Sequence, residues 1–229
     1  MKVKWINRKD IIIKLTVILG LFTTTYLVLF RLGYVMSPSQ FSSVLCVNCS
    51  DPESIHPALE GDSLLNYEQS LANLVDPQTN QDKKISILIE KSKYRLTVFE
   101  DMKPIKSYPV VFGINPTGDK LREGDRKTPE GIFYVKDLYP HQNWSKFIWL
   151  DYPRPQSWRQ HFQAKLNGEL NWLMPIGGEI GIHGVPNNND GLIDRRSNWT
   201  LGCISLKNDD VDEIYQFIGN GTLVEIVPD

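Results

Sequence analysis

The sequence predicts a mainly β fold, a sandwich or barrel with short helices, preceded by one N-terminal transmembrane helix. From residue 84 onwards, short runs of alternating apolar residues are separated by Gly, Pro, Asn and Asp. The 229 residues include 16 Gly and 14 Pro, which favours many turns over a helical bundle. One uncharged apolar stretch stands near the start of the chain. The formal net charge is −2, and no basic run occurs after the N-terminus, so nucleic acid is not expected as a partner.

The apolar stretch has the length of a membrane span. Residues 15–30 carry no charge, and residues 11–13 extend the stretch to about 20 residues if Lys14 snorkels toward the headgroups. Twenty helical residues rise about 30 Å, which is the thickness of the hydrocarbon layer. Four basic residues precede the stretch, whereas Arg31 alone follows it closely. The positive-inside rule therefore predicts a cytoplasmic N-terminus and a C-terminal part on the other side of the membrane.

A cleaved signal peptide is the alternative to an anchor, although no A-x-A cleavage site follows the apolar run. A buried core helix fits badly because the run is not amphipathic. With an anchor, the protein is a single-pass protein of the inner (cytoplasmic) membrane whose main domain is periplasmic or otherwise extracytoplasmic. The predicted parts are a cytoplasmic basic tail (1–10), a transmembrane signal anchor (11–31), an extracytoplasmic linker (32–83) and a folded domain (84–229).

The linker is rich in Ser, Pro, Asn and Asp and has no sustained periodicity, so it is interpreted as a spacer between membrane and domain. A short helix is expected around residues 62–75, where four leucines fall. The linker also contains the C-x-x-C pair Cys46 and Cys49, a spacing found in redox and zinc sites. A local disulfide formed after export, or two ordinary thiols, is the preferred interpretation. Cys203 is then the odd cysteine of an exported domain.

The folded domain contains seven strand-like runs and two helical segments. The helices are expected at residues 155–166 and 209–218, and the second has apolar residues at i, i+3, i+4 and i+7 behind an acidic first turn. Gly219 and Gly221 are expected to end it. The strand-like runs read KISILIEK, YRLTVFED, SYPVVFG, GIFYVKD, KFIWLDY, IGIHGV and TLVEIV.

One of these runs and one further stretch carry candidate chemistry. IGIHGV places His183 and Gly184 at the end of a strand, and WTLGCISL places Gly202 and Cys203 at the start of another. A cysteine nucleophile needs a base within reach, and backbone N–H donors for a tetrahedral oxyanion. Glycine beside it lets a substrate approach the backbone. His183 and Cys203 meet these needs if their strand ends are neighbours, whereas a buried structural thiol is the alternative on chemistry alone.

Six stretches in order make the region 84–228 resemble the L,D-transpeptidases of the YkuD type, in the branch with W-T-x-G-C. These are bacterial peptidoglycan enzymes with a mainly β fold, which implies a YkuD-like β-sandwich here. The stretches are KSKYRLTVFEDMKPIKSYPVVFG, GDRKTPEGIFYV, SKFIWLDYP, IHG, WTLGCISL and GTLVEIV.

The resemblance implies a mechanism and its residues. Cys203 would attack the carbonyl of the third residue of a tetrapeptide stem, D-alanine would leave, and an amine of another stem or water would resolve the acyl-enzyme. His183 would be the base. Gly202 and Cys203 would supply oxyanion donors, with Thr200 and Gly184 in support. No metal and no cofactor is implied, and the partners would be peptidoglycan stem peptides and, through the N-terminal helix, the membrane.

The sequence departs from the common family pattern at two positions. Leu201 stands where many members have His or Lys, and Ser205 stands where many have Arg. A cation at the second position could hold a substrate carboxylate. A hydrolase, acting as an L,D-carboxypeptidase or releasing wall-attached protein, is therefore an alternative, and a non-catalytic wall-binding module is a third. The candidate replacement cations for substrate binding are Arg126, Arg195 and Arg196.

The remaining histidines and tryptophans are interpreted mostly as packing residues. His141 and His161 are expected to have surface or packing roles, and one or two of the tryptophans between residues 140 and 175 could line a substrate groove. The Asn-rich stretch 187–194 lacks the carboxylates of a calcium loop, and it is predicted to be a polar turn.

Overall fold

The computed structural model describes residues 8–46, 54–75, 84–186 and 189–228. Within these residues it has eight β-strands, six α-helices and one 3₁₀ helix (Pro38–Gln40). The strands are β1 (Ile85–Glu90), β2 (Arg95–Glu100), β3 (Lys103–Pro109), β4 (Gly131–His141), β5 (Ser145–Leu150), β6 (Gly181–His183), β7 (Ile204–Ser205) and β8 (Leu223–Val227). The helices are α1 (Arg8–Arg31), α2 (Phe41–Val44), α3 (Leu71–Leu74), α4 (Pro155–Leu166), α5 (Gly191–Asp194) and α6 (Asn208–Tyr215).

The eight strands form one sheet in the order β3-β2-β1-β8-β4-β5-β6-β7. The pairs β1–β8 and β6–β7 are parallel, and the other neighbouring pairs are antiparallel. The long strand β4 joins the two halves, because residues 131–134 pair with β8 and residues 135–141 pair with β5. A register shift between Val135 and Asp137 bends β4 at this junction. The predicted mainly β fold with short helices is confirmed.

The segment after β3 connects the two outer strands of the sheet. Val111 forms an antiparallel bridge with Ser205 of β7, and Gly113 forms a parallel bridge with Thr200. A chain that leaves one edge of the sheet therefore pairs with the opposite edge. The core contains fully buried residues from both halves of the sheet and from the segment after β3. Examples are Ile87, Phe112, Phe133, Ile148, Ile204 and Val224.

The two predicted domain helices are present. Helix α4 has the predicted bounds, with Pro155 in its first turn, and it buries Trp158. Helix α6 ends at Tyr215, three residues before the predicted end, because the last turn tightens and the Phe217 N–H donates to the Ile214 carbonyl at 3.0 Å. Val211 and Ile214 form its buried face.

Helix α1 is long and apolar enough, from Ile11 to Arg31, to cross a membrane, and none of this stretch is buried. The chain leaves it through Gly33 and contacts the folded domain at once. The Ile176 N–H donates to the Gly33 carbonyl at 3.0 Å, and a Cβ at Gly33 would meet the Gly177 nitrogen at 3.1 Å. The connection between α1 and the folded domain is therefore only about two residues long.

The interpretation of residues 32–83 as a spacer is wrong for their described parts, which pack on the domain. The Arg95 guanidinium donates to the carbonyls of Gly61 and Ser63. The Leu71 side chain is completely buried, and its N–H donates to the Glu213 carboxylate at 2.6 Å. Helix α3 is one turn of the longer helix expected at 62–75. Many of the contacts are hydrogen bonds that involve the backbone, whereas the apolar ones come from Val44 and Leu71 in the core and from Met36, Tyr67 and Val75 packed against it. These apolar residues follow no regular period in the sequence.

His56 is a buried polar contact of this segment. Its Nδ1 lies 2.7 Å from the Glu225 carboxylate, and its Nε2 lies 2.8 Å from the Ser86 hydroxyl. The N–H groups of Ile55 and His56 also donate to Glu225, and these hydrogen bonds contribute to a Glu225 pKa below its ordinary value, against the opposing effect of burial. Cys46 is disulfide-bonded. Cys49 lies outside the described residues, so the predicted local pairing of the two stays a prediction.

We expect Glu225→Gln to lower the free energy of unfolding by about 2–4 kcal/mol, because it removes a buried charged acceptor of several hydrogen bonds. The lowered pKa means that this stabilisation is present at neutral pH and is lost as the pH falls through the folded-state pKa. Urea unfolding of the full chain in detergent at pH 7 and pH 4 measures both effects. The matched control is Glu60→Gln at an exposed position. Equal stability of the two variants at pH 7 would contradict the expectation.

Candidate active site

Strands β6 and β7 bring the two predicted residues together. In their parallel register Ile182 pairs with Ile204 and His183 pairs with Ser205. Side chains alternate along a strand, so Cys203 and Ser205 share one face of β7 and its extension. Because paired residues point to the same side, His183 lies on that face too. Cys203 directly precedes β7, so its thiol lies diagonally across from the imidazole of His183 on the adjacent strand.

One nitrogen of His183 has a defined partner. Nδ1 lies 2.7 Å from the Gly184 carbonyl, which can only accept, so Nδ1 carries the proton in the neutral ring. Nε2 then has a free lone pair and is the atom able to take a proton. The ring stacks on Trp144 with centroids 4.4 Å apart, and Trp199 meets it edge-on at 5.6 Å. The imidazole is 2% exposed in total and is held in one plane by these rings.

Burial lowers the pKa of His183 to about 4. The hydrogen bond to the Gly184 carbonyl favours the charged ring and opposes this shift, while the nearby His141 adds to it. His141 stacks on the far face of the aromatic group, with its ring 4.3 Å from that of Trp144. At neutral pH His183 is therefore uncharged and able to accept a proton.

The thiol of Cys203 donates to the Glu179 carbonyl at 3.5 Å. Burial raises the pKa of this thiol to about 11, against the lowering effects of a backbone hydrogen bond from Gly181 and the positive charge of Lys120. Glu179 adds to the rise. Cys203 is the free cysteine among the described residues. Thiol and imidazole are both neutral in the resting structure.

The residues before the cysteine are fixed by Thr200. Its hydroxyl donates to the Cys203 carbonyl at 2.7 Å and accepts from the Gly202 N–H at 3.2 Å. Gly202 has a φ of +143°, and a Cβ there would lie 2.7 Å from the Lys127 carbonyl oxygen. The structural reason for this glycine is thus the close approach of a neighbouring segment. The sequence argument had attributed it to access for a substrate.

Gly184 and Ser205 form the support on the other side. The Gly184 carbonyl accepts from both the His183 ring and the Ser205 hydroxyl, the latter at 3.2 Å. A Cβ at Gly184 would lie 2.0 Å from the Asn208 side-chain oxygen and 2.6 Å from the Trp144 carbonyl oxygen. Ser205 is completely buried, so the residue that departs from the family pattern helps to hold the turn after His183.

The three candidate substrate-binding arginines are all exposed, and they lie in different places. The Arg196 guanidinium lies over the Tyr94 ring, 5.4 Å from its centroid. The Arg195 guanidinium packs against Gly191 at the start of α5. Arg126 precedes Lys127, whose carbonyl lies against Gly202, and is therefore adjacent in sequence to a site contact. Leu201, two residues before the cysteine, is 72% exposed.

Sequence reasoning missed several residues around the thiol. Glu179 has a φ of +57° and presents its carbonyl to Cys203 from the loop before β6. Lys120 is buried, donates to Asp125 at 2.8 Å, and acts on the thiol through its charge. Trp199 forms one wall of the His183 pocket.

The other histidines and tryptophans differ in burial and in their contact with the candidate site. His161 is buried on α4, and its Nδ1 lies 2.6 Å from the Leu121 carbonyl, in line with a packing role. Trp158 is a core residue, whereas Trp172 is 61% exposed. His141 contacts two aromatic residues that pack on His183, with its ring 4.3 Å from that of Trp144 and 6.3 Å from that of Phe147. Of the Asn-rich stretch 187–194, residues 187 and 188 lie outside the described residues, and α5 forms its end.

Several solved structures resemble this one at low identity. Bd1075 from Bdellovibrio bacteriovorus is 21% identical, with 72% of this chain and 54% of that chain covered and a TM-score of 0.43. Pgp2 from Campylobacter jejuni, a helical cell shape determining protein, is 24% identical, with 68% and 53% covered and a TM-score of 0.46. An L,D-transpeptidase from Xylanimonas cellulosilytica is 15% identical, with 67% and 65% covered and a TM-score of 0.41.

The matched region spans about half the length of the first two of these proteins. A comparison with curated proteins gives no match. The family model described as the L,D-transpeptidase catalytic domain, YkuD, matches residues 84–226, which is more than half of the chain. With the strand pair and the ordered motifs described above, this match establishes that the chain belongs to the YkuD family of L,D-transpeptidase catalytic domains.

Proposed function

We propose that the protein is a membrane-anchored peptidoglycan L,D-transpeptidase that uses a Cys203–His183 acyl-enzyme mechanism. The observation that carries this proposal is the position of the two side chains on one face of adjacent parallel strands. The family supplies the substrate class, which is the stem peptide of peptidoglycan. The free Nε2 of His183 and the partly exposed thiol of Cys203 supply the base and the nucleophile.

The chemistry follows from the two neutral groups. As the thiol turns from the Glu179 carbonyl toward His183, Nε2 takes its proton while the sulfur attacks the carbonyl carbon of the third stem residue. The tetrahedral oxyanion collapses, the bond to D-alanine breaks, and the imidazolium returns the proton to the departing amine. An amine of a second stem then attacks the thioester, His183 takes the amine's proton, and the thiol is released with that proton.

For the oxyanion we propose the Cys203 N–H as a donor. The Gly202 N–H, also expected to serve, is bonded to the Thr200 hydroxyl in the resting structure. Thr200 therefore acts by holding the loop that carries both groups. Of the two adjacent N–H donors expected from the sequence, we therefore propose that of Cys203 rather than that of Gly202.

Among the three candidate arginines, we propose Arg126 for contact with a substrate carboxylate. Arg126 adjoins Lys127, whose carbonyl lies against Gly202 beside the nucleophile. Arg196 is engaged on the Tyr94 ring. A guanidinium can hold a carboxylate through two parallel hydrogen bonds, which suits the free carboxylate of a stem peptide.

We propose that α1 anchors the chain in the cytoplasmic membrane as a single span, with the catalytic domain on the extracytoplasmic side. The apolar stretch from Ile11 to Arg31 contains 21 residues and rises about 31 Å. Basic residues cluster before it, which places the N-terminus in the cytoplasm.

Hydrolysis is the second candidate outcome at the same site. Ser205 is buried and uncharged where many family members have an arginine, so no cation from β7 holds a substrate carboxylate. If the acceptor stem is poorly held, water resolves the thioester and the product is a tripeptide stem. The nucleophile and the base are the same in both reactions, so the products decide between them.

Cys203→Ala should abolish turnover of tetrapeptide muropeptides by the full chain in detergent, and His183→Gln should lower kcat by about 10²–10⁴-fold. Mass spectrometry of the products reports cross-linked dimers for transfer and tripeptides for hydrolysis. Thermal unfolding verifies that both variants are folded. Full activity of Cys203→Ala would remove the proposed mechanism, and binding to sacculi without turnover in the unaltered protein would favour a wall-binding module.

Because the Cys203 thiol is neutral, we expect it to be alkylated slowly. The experiment is done without a reducing agent, so that disulfides stay intact. Because burial raises the pKa of Cys203 to about 11, iodoacetamide should modify it at pH 8 on the order of 100-fold more slowly than in the urea-unfolded chain. The rate should still rise between pH 9 and pH 11, since the thiolate fraction grows there. Cys203→Ser measures the background. A rate that reaches its plateau below pH 7 would indicate a thiolate–imidazolium pair and contradict the neutral resting state.

A further inference from the structure

An ordered turn with three outward apolar side chains lies beside the exit of α1. We call residues 171–175 the apolar turn. Its exposed residues are Trp172 at 61%, Leu173 at 78% and Met174 at 39%. The Leu173 N–H donates to the Asn171 side-chain oxygen at 2.8 Å, and the Met174 N–H donates to the Asn171 carbonyl at 3.0 Å. The apolar side chains are therefore presented on a fixed backbone.

The apolar turn is tied to the domain at its C-terminal end. The Glu123 N–H donates to the Pro175 carbonyl at 3.0 Å, and the next residue, Ile176, is completely buried. At its other end the Lys165 ammonium lies 6.0 Å from the centre of the Trp172 ring. A turn that the domain holds in this way, yet leaves uncovered, needs an occupant for its apolar surface.

The hydrogen bond from the Ile176 N–H to the Gly33 carbonyl limits how far this turn can lie from the end of the membrane span. Gly33 is two residues beyond Arg31, the last residue of α1, and thus within about 7 Å of the helix end. Met174 is two residues from Ile176, and Trp172 is four, so chain length limits them to about 7 and 14 Å from it. The headgroup zone on each side of the hydrocarbon is about 5–8 Å thick.

We propose that Trp172, Leu173 and Met174 insert into the boundary between headgroups and acyl chains, in the leaflet at which α1 ends. This inference rests on the proposed anchoring of α1 in the membrane. Tryptophan is enriched at this depth, and a leucine and a methionine beside it add apolar area. Leu32 and Tyr34, which flank Gly33, are 54% and 40% exposed and add apolar side chains beside the end of the span.

Insertion would give the catalytic domain a fixed orientation. The span and the apolar turn contact the bilayer at separate points, and a rigid body held at two points cannot rotate freely about the helix axis. The chain from the apolar turn leads in five residues from Met174 to Glu179, whose carbonyl accepts from Cys203. The nucleophile is therefore held in the zone next to the membrane surface, and stem peptides must reach it there.

The test uses the full chain at one copy per nanodisc, with phosphatidylcholine and phosphatidylglycerol brominated at acyl positions 6 and 7. The emission of Trp172 is the difference between the unaltered protein and Trp172→Phe. We expect the brominated lipid to quench this Trp172 emission by more than half. The other tryptophans, including Trp5 beyond the opposite end of the span, are common to both proteins and cancel in the difference. An unquenched Trp172 component in loaded discs would overturn the inference.

Matched exposed leucines separate insertion from other effects. Leu173→Asp should reduce quenching of Trp172 at least twofold, whereas Leu201→Asp, at a leucine that is 72% exposed, should leave it unchanged. Shielding of Trp172 only at two copies per disc would instead identify a second chain as the occupant and overturn the proposal. A chain that does not enter the discs contradicts the anchor. A chain that enters them and converts stem peptides without Trp172 quenching retains the proposed function alone.

Discussion

The parallel pairing of β6 with β7 is the contact on which the candidate site depends. These strands have three and two residues, too few to be stable as an isolated pair. They are held from both sides, since Phe147 of β5 pairs with His183 and Val111 bridges to Ser205. The second of these contacts is made by the segment that closes the sheet. The imidazole and the thiol are neighbours because the whole sheet is closed, and local sequence alone would not place them so.

This dependence explains how far the sequence could predict the structure. The bounds of α4, which begins at Pro155, agree with the sequence prediction, and motif order led to the proposal of Cys203 and His183 as the catalytic pair. The packed segment 54–75 was misinterpreted because buried polar contacts such as that of His56 leave no periodic pattern. Glu179 was missed because it acts through its carbonyl, which every residue has. Contacts made by backbone atoms between distant segments carry no residue-specific signal.

Hydrogen-bond geometry alone does not define a catalytic site in this protein. Ser86, His56 and Glu225 form a hydroxyl–imidazole–carboxylate chain with distances of 2.8 and 2.7 Å. Both distances are shorter than the 3.5 Å between the Cys203 sulfur and the Glu179 carbonyl oxygen. All three residues are at most 4% exposed, and the His56 ring packs on Phe99 at 4.5 Å, so a substrate has no approach. These hydrogen bonds hold the segment around His56 on the sheet. In the candidate site, by contrast, Cys203 is partly exposed.

The residues that position the proposed base are different from those that could bind a substrate carboxylate. The proposed base is fixed by strand pairing, by stacking on Trp144 and by the Gly184 carbonyl. That carbonyl also accepts from Ser205, so position 205 is committed to the turn and supplies no charge. Any cation for a substrate carboxylate must therefore come from loops such as that of Arg126, which lie outside the strand pair. Loops tolerate sequence change more readily than buried strands do. If Arg126 holds the substrate carboxylate as proposed, we expect substrate preference to change there while the proposed Cys203–His183 chemistry stays in place.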